Sequence, residues 1–251
     1  MIRIAAIGDL HIGSDVCARW RDALKPVSDE ADMLLLAGDL TRVGSREEAL
    51  AVASALELVS IPIVGVLGNH DYHADGEVEL TRVLAARGVR MLEGTTASID
   101  VGGTRVGIAG SKGFGGGFAN ACGSDFGEPE MKAFIRHTAM LSGQLCRALE
   151  SLDADLRIAL LHYSPIPATL LGEHLEIHPF LGSYLLGEAI DAAGADLVLH
   201  GHAHAGSEKG ATPGGVIVRN VAQPVIRSAY RIYCFSGPGE IECARRHAVS
   251  A

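Results

Sequence analysis

The run Ile2-Arg3-Ile4-Ala5-Ala6-Ile7-Gly8-Asp9 has two counterparts further along the chain, Met33-Leu34-Leu35-Leu36-Ala37-Gly38-Asp39 and Ile63-Val64-Gly65-Val66-Leu67-Gly68-Asn69. Each run is apolar for most of its length and ends in a glycine followed by a polar residue. Such runs are typical of parallel strands that are buried beneath helices on both faces. They predict an α/β fold whose polar residues collect at the carboxyl ends of the strands, where open α/β sheets bind ligands.

Helical patterns alternate with these strands. Ser45 and Glu48 form a capping box, in which the serine accepts from an orphan amide and the glutamate reaches back, and an alanine- and leucine-rich helix follows to about residue 57. A second helix is predicted over residues 77–87 and is ended by Gly88. The order of these elements over the first hundred residues predicts βαβαβ organisation.

The pattern changes after residue 95. Segments 97–101 and 104–109 flank Gly102-Gly103 and predict a hairpin. A glycine-rich stretch, residues 111–127, precedes a long helix predicted over residues 128–150. Further strands are predicted over residues 156–161, 196–200, 216–221 and 231–235, the last of which pairs with residues 240–243. Because no interior linker is visible, we expect one domain, residues 1–251, built around two packed sheets.

Composition and charge exclude several classes of protein. The formal net charge of −9 argues against stable nucleic-acid binding, which needs a basic surface, but is compatible with a nucleotide held by metal ions. No apolar run approaches the roughly 18 residues that span a bilayer, and no signal-like segment follows Met1. The five cysteines are odd in number and unclustered, which favours free thiols in a reducing compartment. We therefore expect a cytoplasmic protein without a membrane span.

Five polar clusters follow predicted strands: Asp9 with His11; Asp39; Asn69 with His70 and Asp71; His162; and His202 with His204. Taken alone, each residue has an ordinary explanation as a turn residue, a cap or a satisfied histidine. That explanation would have to hold independently for five clusters at the ends of strands. Two metal ions about 3.5–4 Å apart need roughly seven ligands with one of them shared, and these clusters supply such a set.

The ordered blocks Gly8-Asp9-Leu10-His11, Gly38-Asp39-Leu40-Thr41, Gly68-Asn69-His70-Asp71, His162 and Gly201-His202-Ala203-His204 resemble the calcineurin-like metallophosphoesterase superfamily. The match extends from residue 8 to residue 204 and includes all five family blocks in order. The resemblance implies the metallophosphoesterase fold, a four-layer α/β/β/α sandwich with two mixed β-sheets. This expectation agrees with the strand pattern.

The resemblance also implies a role for each cluster. Two transition-metal ions, with manganese, iron and zinc as the candidates, would share Asp39; the first would bind Asp9, His11 and His204, and the second Asn69, His162 and His202. Outside this shell, His70 would assist the leaving group and Asp71 would hold the ring of His70 in a productive tautomer. Histidine nitrogens mixed with carboxylates suit these metals better than magnesium or calcium.

The implied activity is hydrolysis of phosphodiester or pyrophosphate-type bonds in a small phosphoester, with a nucleotide as one candidate substrate. Attack would come from a hydroxide held between the ions. Two divalent ions, two carboxylates and one hydroxide carry a formal charge of about +1, which matches a diester anion. A monoester dianion would need another fixed cation. Protein phosphatases of the superfamily carry an arginine shortly after the second block and another just before the third, and the corresponding positions here are Arg42-Val43 and Leu67. A phosphomonoesterase or phosphoprotein phosphatase and a catalytically silent scaffold remain the alternatives.

Residues beside the blocks are candidates for substrate contacts: Arg42, Tyr72, His73, Phe114 and Tyr163. For Arg42 the alternative is a solvated loop position, and for the two tyrosines and His73 it is plain packing. Phe114 lies in the glycine-rich stretch 111–127, which is either a mobile cover with an aromatic face or an inert loop. Its length beyond the usual loop range favours the cover.

Overall fold

Two six-stranded sheets organise the chain in the computed structural model, which describes residues 1–235 and the backbone of residues 241–246. The strands are β1 (Ile2–Ile7), β2 (Met33–Ala37), β3 (Ile63–Val66), β4 (Val89–Met91), β5 (Thr95–Val101), β6 (Thr104–Ser111), β7 (Gly117–Phe118), β8 (Ala121–Cys122), β9 (Leu156–Leu161), β10 (Leu197–His200), β11 (Lys209–Ala211), β12 (Ile217–Asn220), β13 (Arg231–Phe235) and β14 (Ile241–Arg246). The α-helices are α1 (Cys17–Leu24), α2 (Val27–Glu30), α3 (Arg46–Ala55), α4 (Glu77–Ala86), α5 (Pro129–Glu150), α6 (His178–Leu181), α7 (Tyr184–Ala193) and α8 (Gln223–Ile226).

Both large sheets mix parallel and antiparallel pairs. The first sheet has the order β14-β13-β1-β2-β3-β4, in which β1 to β4 are parallel and β13 is antiparallel to β1. The second has the order β11-β12-β10-β9-β6-β5, in which β12, β10, β9 and β6 are parallel and the two edge strands are antiparallel. The carboxyl ends of the parallel strands therefore gather at one edge of each sheet.

The alternation of side chains along β1 shows how the layers form. Ile4 and Ala6 pack between the two sheets, while Ala5 and Ile7 face the helices that cover the first sheet. On the far side of the second sheet, Leu145 of α5 packs with residues of α7 and of β9. The order of layers is α/β/β/α, so the predicted fold class is confirmed.

The ends of the predicted helices match their sequence signals with one difference. Ser45 caps α3 by accepting from the Glu48 amide at 3.2 Å. The Glu48 carboxylate accepts from the Val43 amide at 2.8 Å, so it joins the preceding loop to α3 instead of closing back on Ser45. Gly88 ends the second predicted helix with a φ of +91°, a conformation that favours glycine.

The other predicted strands are also present within the described residues. The predicted strand 156–161 and the hairpin around Gly102-Gly103 are present, and β13 pairs antiparallel with β14. Positions 236–240, which contain the turn expected between those two strands, lie outside the described residues. No disulfide joins the described cysteines, and no helix of the described chain is long and apolar enough to cross a membrane. Helices α1, α2, α6, α7 and α8 have no counterpart among the helices predicted from the sequence.

Candidate metal centre

The expected ligands lie just beyond the carboxyl ends of five parallel strands. Asp9 and His11 follow β1, Asp39 follows β2 and Asn69 follows β3, all in the first sheet. In the second sheet His162 follows β9, and the pair His202 and His204 follows β10. Because the two sheets pack face to face, these ends meet, and the side chains form overlapping groups that could each hold an ion: Asp9, His11 and His204; His11, Asp39 and His70; and Asp39, His162 and His202.

The first group contains a buried nitrogen that lacks a partner. His204 Nε2 lies 2.8 Å from Asp9 Oδ1, and the Asp9 carboxylate also accepts from the His202 amide at 3.0 Å. His11 Nε2 is buried and has no hydrogen-bond partner among the described residues. A buried polar atom without a partner costs stability, and a metal ion is the partner that a carboxylate and two imidazoles would share.

Asp39 lies between the group of Asp9, His11 and His204 and the group that contains His162 and His202. Its Oδ2 atom lies 3.8 Å from His11 Nε2, and its Oδ1 atom lies 3.4 Å from His162 Nε2. The carboxylate is almost fully buried, and Oδ1 also accepts from the His70 amide at 2.8 Å. Each oxygen thus faces one side of the centre, which is the placement a bridging carboxylate needs.

On the other side of Asp39, a lone pair of His162 faces a lone pair of Asn69. His162 Nδ1 donates to the Ala37 carbonyl at 2.9 Å, so the lone pair of the neutral ring is on Nε2. That atom lies 3.0 Å from Asn69 Oδ1, another acceptor, and a cation satisfies both. His202 Nε2 donates to the Phe180 carbonyl at 3.1 Å, which leaves Nδ1 for an ion.

The electrostatics of the centre favour neutral imidazoles. Burial lowers the pKa of His202 to about 3 and lowers the pKa of His11 below its usual value. His204 differs, because its hydrogen bond to Asp9 raises its pKa despite partial burial. Burial is the largest single influence on Asp9 and opposes its ionisation, but the hydrogen bond from His204, the charges of His162 and His204 and the His202 amide together lower the pKa of Asp9. A carboxylate beside neutral rings is the donor set for a transition metal.

The backbone is strained at the same positions. Among the described non-glycine residues, φ is positive at seven, and four of these are expected ligands: Asp9 (60°), His11 (44°), Asp39 (50°) and His202 (70°). The left-handed region is costly for such residues and persists only where the surroundings impose it. Strain of this kind concentrates at functional sites.

Three glycines make the close packing of the ligand loops feasible. A Cβ atom on Gly68 would overlap the carboxylate of Asp39, and one on Gly201 would overlap that of Asp9. A Cβ on Gly38 would lie 2.5 Å from His162 Nδ1. At these three blocks the first residue must therefore be a glycine, because an expected ligand from another block occupies the space of a Cβ atom.

His70 is half exposed at the edge of the centre. Its Nδ1 lies 2.8 Å from the Arg42 carbonyl, its Nε2 lies 4.0 Å from Asp39 Oδ2, and its ring centroid is 4.6 Å from that of His11. The ring is close enough to His11 and Asp39 to join them around an ion.

The expected role of Asp71 is wrong. Its carboxylate is fully buried and accepts from the amides of Leu40 (3.2 Å), Thr41 (2.9 Å) and Gly68 (2.8 Å), and from the Thr41 hydroxyl (2.6 Å). The ring of His70 is held by Arg42 instead. Burial raises the pKa of Asp71 to about 6, against the opposing effect of these hydrogen bonds. Asp71 thus fixes the loops after β2 and β3 to one another.

Two of the candidate substrate contacts lie away from the ligand side chains. The Arg42 guanidinium pairs with Asp15 at 2.8 Å and donates to the His11 carbonyl at 3.1 Å, on an exposed loop. His73 is exposed, and its side chain makes no hydrogen bond among the described residues. The alternative of a solvated loop position fits both residues.

The aromatic candidates line one wall of the centre. The Tyr163 ring lies 4.4 Å from the His202 ring, and Phe114 lies 5.7 Å from Tyr163. Tyr72 faces the same space from the loop after β3, since it shares a contact with the ammonium group of Lys112. Burial raises the pKa of Tyr72 to about 12, and it also raises the pKa of Tyr163, so both phenols keep their protons.

Lys112 is a residue that the sequence analysis did not select. It directly follows β6 and therefore belongs to the same row of strand ends as the ligands. Its side chain is nearly buried, and its Nζ lies 4.9 Å from the Tyr72 ring, 5.0 Å from the Phe114 ring and 5.4 Å from the Tyr163 ring. The signal was present, because β6 extends to Ser111, but the predicted strand ended two residues earlier, at Ala109.

The glycine-rich stretch is packed against the body of the protein. Residues 111–118 are mostly buried, and the amide of Gly116 donates to the Pro179 carbonyl at 2.7 Å. Phe118 packs with Leu170, Leu181 and Ala203, the last of which lies within the final ligand block. This half of the stretch supports the ligand loop and the aromatic wall.

Two mixed sheets with aspartate, asparagine and histidine side chains at their joined strand ends are the architecture of the metallophosphoesterases. Residues 2–206 match the calcineurin-like phosphoesterase family, and the chain belongs to that family. No match is found among curated proteins.

Solved structures share the fold at low sequence identity. The phosphopantetheinyl hydrolase of Mycobacterium tuberculosis superposes with a TM-score of 0.65 at 16% identity, over 94% of this chain and 97% of that one. The protein TT1561 of Thermus thermophilus superposes with a TM-score of 0.62 at 21% identity, over 99% of both chains.

The same fold occurs in a protein described as an anchor. GAP50, the anchor in the inner membrane complex of Plasmodium, superposes with a TM-score of 0.58 at 12% identity, over 98% of this chain and 89% of that one. Likeness of fold at such identities does not carry an activity. The ligand set must therefore carry the functional argument.

Proposed function

We propose that the protein hydrolyses phosphodiester or pyrophosphate-type bonds of a small phosphoester, with two transition-metal ions as its cofactor. One observation carries this proposal. Asp39 places one carboxylate oxygen toward His11 and the other toward His162, and thereby joins two groups of ligand atoms into one centre.

The residues present fit such a cofactor. The first ion would be held by Asp9, His11 and His204, the second by Asn69, His162 and His202, and both by Asp39. The unpartnered His11 Nε2 and the facing lone pairs of His162 and Asn69 support this assignment. When bound, the metals would lower the pKa of a water nucleophile and offset charge on the phosphoryl oxygens.

His70 would supply the proton for the leaving oxygen. Because Nδ1 donates to the Arg42 carbonyl, the ring is fixed with Nε2 as its second proton site. A proton carried at Nε2 is therefore the one that the ring would give to the leaving oxygen. General acid help of this kind contributes roughly 10²–10⁴-fold to rate.

The bond type follows from charge. The guanidinium of Arg42 is paired with Asp15, and the neighbouring positions are the apolar residues Val43 and Leu67. This side of the centre therefore offers no uncompensated cation to a monoester dianion, among the described residues. The net charge of −9 likewise favours a small substrate over a nucleic acid.

A phosphomonoesterase is the second candidate function, because Lys112 places a cation on the opposite, aromatic wall. A catalytically silent scaffold fits less well. It would not need the strained backbone and the unpartnered nitrogen of a complete ligand set.

A direct test uses protein stripped of metal and reloaded with manganese. Hydrolysis of bis(p-nitrophenyl) phosphate and p-nitrophenyl phosphate is compared at one pH, with Asp39→Asn as the negative control. We expect a higher kcat/KM for the diester and no activity in the control. A clear preference for the monoester would overturn the proposed bond type. If the metal-loaded protein hydrolysed neither of these substrates nor any member of a wider phosphoester panel, the enzyme proposal would be overturned.

A further inference from the structure

Lys112 is a cation held at a fixed place beside the centre. Its carbonyl accepts from the amides of His162 (3.1 Å) and Tyr163 (3.0 Å), and its own amide donates to the Glu93 carboxylate at 3.0 Å. The other oxygen of Glu93 accepts from the Ser111 hydroxyl at 3.0 Å. Both sheets therefore pin the backbone of Lys112, since Glu93 follows β4 and His162 follows β9.

The ammonium group lies against three rings, and the carboxylates of Glu93 and Asp39 attract it without forming an ion pair. Its Nζ lies 4.9 to 5.4 Å from the centroids of three rings, those of Tyr72, Phe114 and Tyr163. Among the described residues, no carboxylate forms an ion pair with it, and no side chain or carbonyl accepts a hydrogen bond from it. A nearly buried lysine is rarely left in this state, because burial of a charge is costly unless the charge is paired.

The ammonium group lies beside the space in which a substrate would bind. Tyr163 directly follows the ligand His162 and its ring contacts that of His202, while Tyr72 lies two residues after His70. The rings fix the direction of the lysine side chain, and their faces tolerate a cation without neutralising it. An anion bound between the metal ligands and this wall would give the ammonium its missing partner.

We propose that Lys112 binds the second negative charge of a doubly charged phosphoryl substrate. This inference rests on the proposed function and narrows its substrate class. Under the proposed function the second charge is that of the neighbouring phosphate of a pyrophosphate, whereas under the second candidate function it is the extra oxygen charge of a terminal monoester. A simple diester has one charge and does not engage the lysine.

The test compares Lys112→Met, which keeps the length of the side chain and removes its charge, with Lys209→Met. Lys209 lies exposed on β11 and serves as the matched control. Substrates are diadenosine pyrophosphate, the diester adenylyl-adenosine, which has the same two nucleosides but one phosphate, and p-nitrophenyl phosphate. We expect Lys112→Met to lower kcat/KM about tenfold or more for a doubly charged substrate and less than threefold for adenylyl-adenosine. Loss on diadenosine pyrophosphate identifies the neighbouring phosphate, and loss on p-nitrophenyl phosphate identifies the monoester.

Binding and stability measurements separate this role from a structural one. Calorimetric affinity for methylenediphosphonate and for inorganic phosphate should fall in Lys112→Met and recover in part in Lys112→Arg. Equal losses on all three substrates, or unchanged affinity for both anions, would overturn the inference. If the wild-type protein hydrolyses none of the substrates while anion affinity still depends on Lys112, the proposed function fails and the anion site stands.

Discussion

The Nδ1 atom of His70 lies 2.8 Å from the carbonyl oxygen of Arg42, a residue at the end of a different loop. A carbonyl only accepts, so Nδ1 carries the proton in the neutral ring and Nε2 is the atom that can exchange one with a substrate. The contact uses the backbone of Arg42, and its guanidinium is engaged with Asp15. The orientation of His70 therefore depends on the loop after β2, which Asp71 holds through Leu40 and Thr41 without a hydrogen bond to the ring itself.

His70→Ala is expected to lower kcat by 10²-fold or more while metal content stays at two ions per chain. The loss should shrink for nitrophenolate esters, whose leaving group needs little protonation, and grow for alkyl esters. Kinetics on both ester types with elemental analysis of the same samples checks this. Loss of an ion would show that His70 is a ligand, as its closeness to His11 and Asp39 permits.

Gly68→Ala is expected to reduce metal binding, although Gly68 itself offers no ligand. Its new methyl group would overlap the Asp39 carboxylate and push the bridging residue from its place. Gly143→Ala is the matched control, because position 143 lies in α5, a Cβ there would meet only the Arg147 guanidinium at an ordinary 3.5 Å, and alanine favours helix by about 1 kcal/mol. We expect weaker manganese binding by calorimetry for Gly68→Ala and a stabilised, metal-competent Gly143→Ala. Equal affinities in both variants would contradict the steric argument.

The grouping of the expected ligands could be predicted because its signals are local in sequence. Each block sits where a strand pattern stops, and parallel strands place such ends at one edge of a sheet. The apolar strands before Gly8 and Gly38 can be recognised from the sequence alone. The structure confirms that the ends of these strands meet.

Other features depended on contacts between distant segments. The Asp71 carboxylate accepts from the amides of Leu40 and Thr41, some thirty positions earlier in the chain. The sequence prediction pairs it instead with His70, its direct neighbour in sequence. Lys112 was missed because its strand runs further than the apolar pattern, so the lysine was grouped with the glycine-rich stretch. Its three ring partners come from three different loops.

Asp71→Asn is expected to destabilise the protein by about 2–4 kcal/mol, because the amide nitrogen would replace one acceptor oxygen and face backbone donors in a buried site. The carboxylate accepts four hydrogen bonds in the structure. Asp75→Asn is the control, since Asp75 is exposed and has a φ of +52°, which asparagine tolerates. Urea unfolding of metal-free protein measures both. A change of less than about 0.5 kcal/mol at Asp71 would show that these hydrogen bonds contribute little to stability.

Asp39→Asn is expected to weaken both metal sites, whereas His204→Ala should weaken one. The two oxygens of Asp39 face His11 on one side and His162 on the other, so loss of its charge affects both ions. Of the two expected carboxylate ligands, Asp9 and Asp39, His204 contacts only Asp9. Calorimetric titration of metal-free protein with manganese should give two sites for wild type and for the exposed control His174→Ala, one weakened site for His204→Ala, and two weakened sites for Asp39→Asn. Two unaltered affinities in Asp39→Asn would show that its carboxylate does not bridge, and a single ion in wild type would rule out the dinuclear centre.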